Sequence, residues 1–186
     1  MLYKKLQEMI KSGKYEIPKG KRDKSITLSE DNQQTYKVLI RKVNSKCIAI
    51  KVEDFPQDNE FFSNNKHENS RGDYIIIDAN DTNKILVSII ELKSGDPNNS
   101  EVKLQLKGAR CFANYILEVA NFFYDCSLSG KKIEYRFACI TNAVSAEKRG
   151  ISPVVRHIDN TKADFFLRVK GAKPEYDNII NGIIVC

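Results

Sequence analysis

Hydrophobic positions along this chain fall into blocks whose spacing changes from strand-like to helical and back. "DYIIID" (73–78) and "ILVSIIELK" (85–93) are runs of isoleucine, leucine and valine of the length and composition of strands buried on both faces. Turn formers fill "DANDTNK" (78–84) between them, so the two blocks are expected to pair as an antiparallel hairpin. In "EVKLQLKGARCFANYILEVANFFYDC" (101–126), Val102, Leu106, Ala109, Ala113, Ile116, Leu117, Ala120 and Phe123 line one stripe. That spacing predicts a long amphipathic helix packed on a large apolar surface, for which the strands are the candidate. "KIEYRFACITN" (132–142) predicts another buried strand, "ADFFLRVKG" (163–171) a further one, and "NIINGIIVC" a short apolar tail.

Upstream, "LYKKLQEMIKS" (2–12) puts Leu2, Leu6, Met9 and Ile10 at helical spacing and stops at Gly13. The basic stretch 13–25 reads as a loop, either a solvated connection or an arm that contacts phosphates. "TYKVLIRKV" (35–43) and "CIAIKVEDF" (47–55) flank the turn-like "NSK" and predict a hairpin. The first of these could instead belong to a helix, because Ser29 followed by Glu30 and Asp31 is a fair helix start. Residues 56–72 are dominated by turn formers and read as a second loop. The order predicts one domain over 1–186 of α/β (α+β) class, a mixed central sheet flanked by helices.

Composition narrows this only a little. A chain of 186 residues with 41% hydrophobic and 29% charged residues is long enough to bury a full core. No apolar run approaches the roughly 20 residues of a membrane span, and the first residues are too polar for a secretory signal, so a cytoplasmic protein without a membrane partner is expected. The five cysteines are scattered without zinc spacing and read as reduced, mostly buried thiols. His67 and His157, in loop-like segments, read as surface histidines. A net charge of +6 suits a polyanionic partner but does not require one.

The informative charges are those attached to the hairpin. Asp73 opens its first strand, and Glu91 and Lys93 close its second. If Ile77 sits opposite Ile85, then Asp73 faces Ile89, and Glu91 and Lys93 follow on the same sheet face, while Asp78 falls on the other. Two carboxylates there, with the Leu92 backbone carbonyl between them, suit a hard cation such as Mg²⁺ or Mn²⁺. A lysine beside them can orient a water and offset charge developing on a phosphate. The plainer alternative is that Glu91 and Lys93 are strand-end residues paired with each other near the surface.

An aspartate opening one apolar strand ("GDYIIID"), a second strand ending "IIELK" and then a long helix together resemble the PD-(D/E)xK nuclease superfamily, the restriction-endonuclease-like fold. The resemblance covers about residues 70–142. It implies an αβββαβ core with extra strands around it, Asp73, Glu91 and Lys93 as catalytic residues, and a metal held by Asp73, Glu91 and the Leu92 carbonyl. Several branches begin the following helix with a glutamine that contacts the metal-bound water or substrate, a place taken here by Gln105. The tyrosine that some branches carry four residues later is Ala109, and the proline of the nominal motif is Gly72. Many members add an acidic residue from the first helix, where this chain offers Glu8.

The function implied is metal-dependent hydrolysis of phosphodiester bonds in DNA, with RNA left open, in a phage-defence, restriction or mobile-element setting. The alternative is a nuclease-fold subunit that binds or assembles without cutting. A chain with little beyond the core is expected to take its target specificity from a homodimer or a partner protein. Its basic segments "KGKRDK" (19–24), "RKVNSK" (41–46) and "EKRG" (147–150) are candidates for phosphate contacts, and at least one is expected to border the site.

Overall fold

A computed structural model of the chain describes residues 2–29, 36–53, 55, 62–141, 155–171 and 173–185. The elements are α1 (Leu2–Met9), β1 (Tyr15–Glu16), β2 (Ser25–Ser29), β3 (Lys37–Arg41), β4 (Cys47–Lys51), β5 (Tyr74–Asp78), β6 (Lys84–Lys93), α2 (Asn99–Tyr124), β7 (Lys132–Thr141), β8 (Val155–His157), a 3₁₀ turn (Ala163–Phe165), β9 (Leu167–Lys170), α3 (Tyr176–Ile180) and β10 (Ile183–Val185). The fold is mixed α/β, built on a six-stranded sheet in the order β1-β4-β5-β6-β7-β9. Pairing is antiparallel from β1 through β6 and parallel from β6 to β7 and from β7 to β9. Parallel neighbours need a long crossover, and α2 supplies it between β6 and β7.

Both sheet faces are covered, which is why β5 and β6 read as nearly unbroken apolar runs. On one face Ile48, Ile50, Ile75, Ile77, Val87 and Ile89 pack against Leu6 of α1 and Val102, Leu106, Ala109 and Ala113 of α2. On the other, Ile76, Ile90, Leu92 and Ile140 meet the β2–β3 ribbon through Ile26, Leu28, Val38 and Ile40, with Tyr176 and Ile179 of α3. The long helix starts where the Asn98 side chain accepts a hydrogen bond from the Ser100 N–H and stops at Asp125, which is left-handed at φ 51°.

Several expectations change. Residues 37–41 and 47–51 are strands but not a hairpin. β3 pairs with β2, and β4 crosses to the main sheet between β1 and β5. Burial explains the parting: β4 is buried on both faces and needs neighbours on each side, whereas β3 buries only alternate residues and suits a covering ribbon. The stretch 13–25 is not wholly a loop, since it holds β1 and leads into β2. The helix start proposed at Ser29 meets the end of β2, and Glu30 and Asp31 lie outside the described residues. Residues 163–171 form a 3₁₀ turn before β9 in place of one strand. Of the loop at 56–72, residues 62–72 carry no helix or strand and 56–61 lie outside the described residues.

The central hairpin is two residues out of the predicted register, with Ile77 opposite Val87 and Tyr74 opposite Ile90. Side chains alternate with a period of two, so a shift of two leaves every residue on its predicted face. Asp78 is on the face away from α2, where it is 5% exposed and accepts bonds from the Asn44 side-chain amide at 2.5 Å and the Asn80 N–H at 3.0 Å. Asp78→Ala is therefore expected to lower unfolding stability by about 1 kcal/mol, through the lost bonds from the Asn44 amide and the Asn80 N–H, without disturbing chemistry on the α2 face. Urea denaturation and an activity assay on one preparation separate the two effects.

Candidate functional site

One step beyond the Tyr74–Ile90 pair, the register carries Asp73 opposite Glu91, with Lys93 two residues further on the same face. The Asp73 carboxylate accepts the Leu92 N–H at 2.6 Å. A strand residue sends its N–H and C=O toward the same neighbour, so the Leu92 carbonyl is directed to the Asp73 side as well. Lys93 Nζ lies 2.7 Å from Glu91 Oε1 and 3.6 Å from Glu101 Oε1 on the first turn of α2. The structure thus brings together Asp73, Glu91, Lys93 and the Leu92 backbone, and adds Glu101, which the sequence did not single out.

Glu91 is 1% exposed, so it is not half of a surface pair. Burial raises its pKa to about 8, the Asp73 charge adds to the rise, and Lys93 opposes it. Lys93 is pulled down by partial burial but raised on balance by its bond to Glu91 and by the charges of Glu91, Glu101 and Asp73. Next to Glu91 on β7, the Cys139 thiol is pushed up to about 12 by burial and by the Glu91 charge. Two oxygens stand out: Glu91 Oε2 and Gln105 Oε1 are both buried without a hydrogen-bond partner. Such groups are costly to leave unsatisfied, and a cation is one partner that a buried carboxylate oxygen accepts.

Glycines let the segment before Asp73 reach this position. A Cβ on Gly72 would stand 3.3 Å from Glu91 Oε2, 3.4 Å from the Ala109 Cβ and 3.5 Å from the Gln105 carbonyl oxygen. Glu91 Oε2 and the Gln105 backbone carbonyl therefore border the same point beside Gly72. Ala109 presents a small side chain that the Gly72 backbone can approach. At Gly108 a Cβ would stand 1.7 Å from the Ser70 carbonyl oxygen, so α2 and the chain leading to Asp73 touch backbone to backbone.

Other candidates lie elsewhere. Glu8 is exposed, pairs with Lys5 at 2.9 Å, and its charge reaches the Cys126 thiol beyond the C-terminal end of α2. At 1.5 Å per residue, the 19 residues from Gln105 to Tyr124 put that end roughly 28 Å from Gln105, so Glu8 is not at the site. His67 and His157 are both exposed, and neither joins the cluster. Two basic segments are at the wrong end of the sheet. The Lys24 carbonyl accepts the Val43 N–H, Asn44 holds Asp78, and the Lys46 carbonyl accepts the Ala79 N–H, which places 19–24 and 41–46 by the hairpin turn. Arg41 and Lys42 are engaged by Glu175, and 147–150 lies outside the described residues. Cations that the described strands do bring to the site's face are Lys93 itself and, across β7, Arg168 and Lys170 of β9. Alternation in "LRVK" (167–170) puts these two on one face; that β9 lies parallel to β7 is not written locally.

Among the described residues no group of three or more His, Cys, Asp or Glu side chains is placed to hold a metal, so a cation here would rest on two carboxylates and neutral oxygens. Comparison with family models, with curated proteins and with solved structures finds no match. Also among the described residues, no helix is long and apolar enough to cross a membrane.

Proposed function

We propose that this protein is a metal-dependent nuclease of the PD-(D/E)xK type, hydrolysing phosphodiester bonds in DNA. The observation that carries the reading is the pairing of two carboxyl groups: Glu91, buried with one oxygen on Lys93 and the other without a well-formed hydrogen bond, stands beside Asp73. The run α1, β4, β5, β6, α2, β7 follows the αβββαβ order that the resemblance implies, and this supports the reading.

The donor set fits a hard cation. Asp73, Glu91 and the Leu92 carbonyl would hold Mg²⁺ or Mn²⁺, with the remaining positions open to water and a phosphate oxygen. Bound there, the ion would supply a water of lowered pKa and polarise the phosphodiester. Lys93, kept protonated by its carboxylate neighbours, stands where it can orient that water and offset charge on the phosphate. Gln105, whose backbone carbonyl borders Gly72 beside Glu91, would offer its side-chain amide oxygen as a further acceptor for the water. A second reading, a subunit that binds without cutting, draws on the sparse ligand set and on Lys93 occupying one Glu91 oxygen. Defence, restriction or mobile-element work, and specificity supplied by a second copy or another protein, belong to the first reading.

Incubating the protein with plasmid, linear duplex, single-stranded DNA and RNA, each with Mg²⁺, Mn²⁺ or EDTA, tests the proposal. Cleavage in the metal arms, absent in EDTA and in Asp73→Ala, is the expected result. Intact substrates in every arm would remove it.

A further inference from the structure

Beside the site, on the same face of the sheet, a recess of about 280 Å³ runs along the first turns of α2 and is lined by Lys103, Arg168, Phe166, Asn99, Ile158 and Asp164. Arg168 is paired across β7 with Cys139, which is paired with Glu91, and Lys170 is paired through Thr141 with Lys93. Two strand spacings, about 10 Å, separate these cations from the candidate catalytic residues. Lys103 and Arg168 line the recess with Asp164, and Lys170 follows Arg168 on the same face of β9. Lys107 already engages Asp164 at 3.1 Å, and Glu101 is turned to Lys93. The Arg168 guanidinium is anchored by the Asn99 side chain and by Asp96, so its position is set before anything binds. Phe166 brings a ring to the recess, and the neighbouring Phe165 is 61% exposed.

We propose that this recess binds an unpaired nucleic-acid strand, seating one splayed base against Phe166 and its phosphates on Lys103, Arg168 and Lys170, and so leads the strand into the Glu91 site. This rests on the nuclease reading and adds to it a substrate class. Cations that follow a backbone, interleaved with an aromatic surface for stacking, are what single-stranded nucleic acid requires. The volume lies just below the roughly 300–1,000 Å³ of small-molecule pockets, which is room enough for a base. The basic segments at the hairpin turn face elsewhere and cannot serve this path.

The test is fluorescence anisotropy of the whole protein in EDTA with labelled single-stranded DNA, single-stranded RNA and duplex DNA over a range of salt, alongside the cleavage assay in Mg²⁺. Lys103→Gln and Arg168→Gln are each expected to weaken single-strand binding about tenfold and to lower the slope of log K against log salt by about 0.7 per contact removed. Phe166→Leu keeps an apolar side chain for packing and is expected to lose about five- to tenfold on the single strand with the salt slope unchanged. Melting curves establish that each variant is folded, and exposed Lys170→Gln repeats the charge test with the least risk to the fold. DNA and RNA arms that respond alike assign the recess to the shared backbone and base chemistry; a loss confined to one assigns it to that strand. Wild-type affinity and slope in all four variants, an equal loss on duplex, or no binding by the wild type would each overturn the inference. Cleavage with unchanged binding would overturn it while leaving the nuclease reading intact, and binding lost as described without any cleavage would do the reverse.

Discussion

Exchanging Glu91 for glutamine is expected to lower cleavage at least about a hundredfold and to leave a folded protein whose stability falls less with rising pH. Both effects come from one carboxylate. Glutamine keeps the shape and an acceptor for Lys93, but cannot supply a charged oxygen to a cation. The pH effect has a definite sign. Burial first, then Asp73, raises the folded pKa of Glu91 from its ordinary 4.5 to about 8. Below the unfolded value the group contributes its full share to stability, and that share is lost as pH rises through the folded value. Each unit of displacement corresponds to about 1.4 kcal/mol, so even part of it is measurable. Urea unfolding in EDTA near pH 6 and near pH 9 should show the wild type losing more stability than Glu91→Gln over that interval. Parallel losses would mean that Glu91 is ionised and satisfied without a cation, as an ordinary ion pair.

A methyl group at Gly108 is expected to do more structural damage than its size suggests. In an exposed helix, Gly→Ala stabilises by about 1 kcal/mol. Here the new carbon would stand 1.7 Å from the Ser70 carbonyl oxygen and 2.8 Å from its carbon, and backbone atoms cannot rotate aside. Overpacking typically costs about 1–3 kcal/mol and occasionally more, so the clash outweighs the propensity gain and the sign reverses. Relief must come from moving residues 70–73 off α2, which breaks the Asp73 bond to the Leu92 N–H. Gly108→Ala should therefore unfold at lower urea concentration and lose cleavage together. Gly95→Ala, where a methyl meets nothing within 4 Å, is the neutral comparison. A stabilised, fully active Gly108→Ala would show that the close approach of α2 does not position Asp73.

The site was more legible in the sequence than the pairing around it, for a physical reason. Which face a strand residue occupies depends on parity alone, so Asp73, Glu91 and Lys93 came together even though the hairpin register was two residues out. The partner of β3 depends on which strands must be buried on both sides, and neither "KVLIR" nor "CIAIK" states that locally. The segments 19–24 and 41–46 lie away from the site because runs of lysine and arginine mark solvated chain more often than a cleft. Arg168 and Lys170 are separated by a valine and form no basic run, and only the parallel pairing of β9 with β7 brings them to the site's face. Glu101 was hidden in the same way, since its proximity to Lys93 depends on how the first turn of α2 lies against β6.

Calorimetric titration of Mg²⁺ and Mn²⁺ into EDTA-stripped protein at neutral pH addresses the central claim that Asp73, Glu91 and the Leu92 carbonyl form one cation site. The expected result is a single binding event with proton release, read as a heat that changes with the buffer's own ionisation enthalpy, because Glu91 must surrender its proton. Asp73→Asn and Glu91→Gln should each abolish it. No binding by the wild type, or binding unchanged in both variants, would contradict the account.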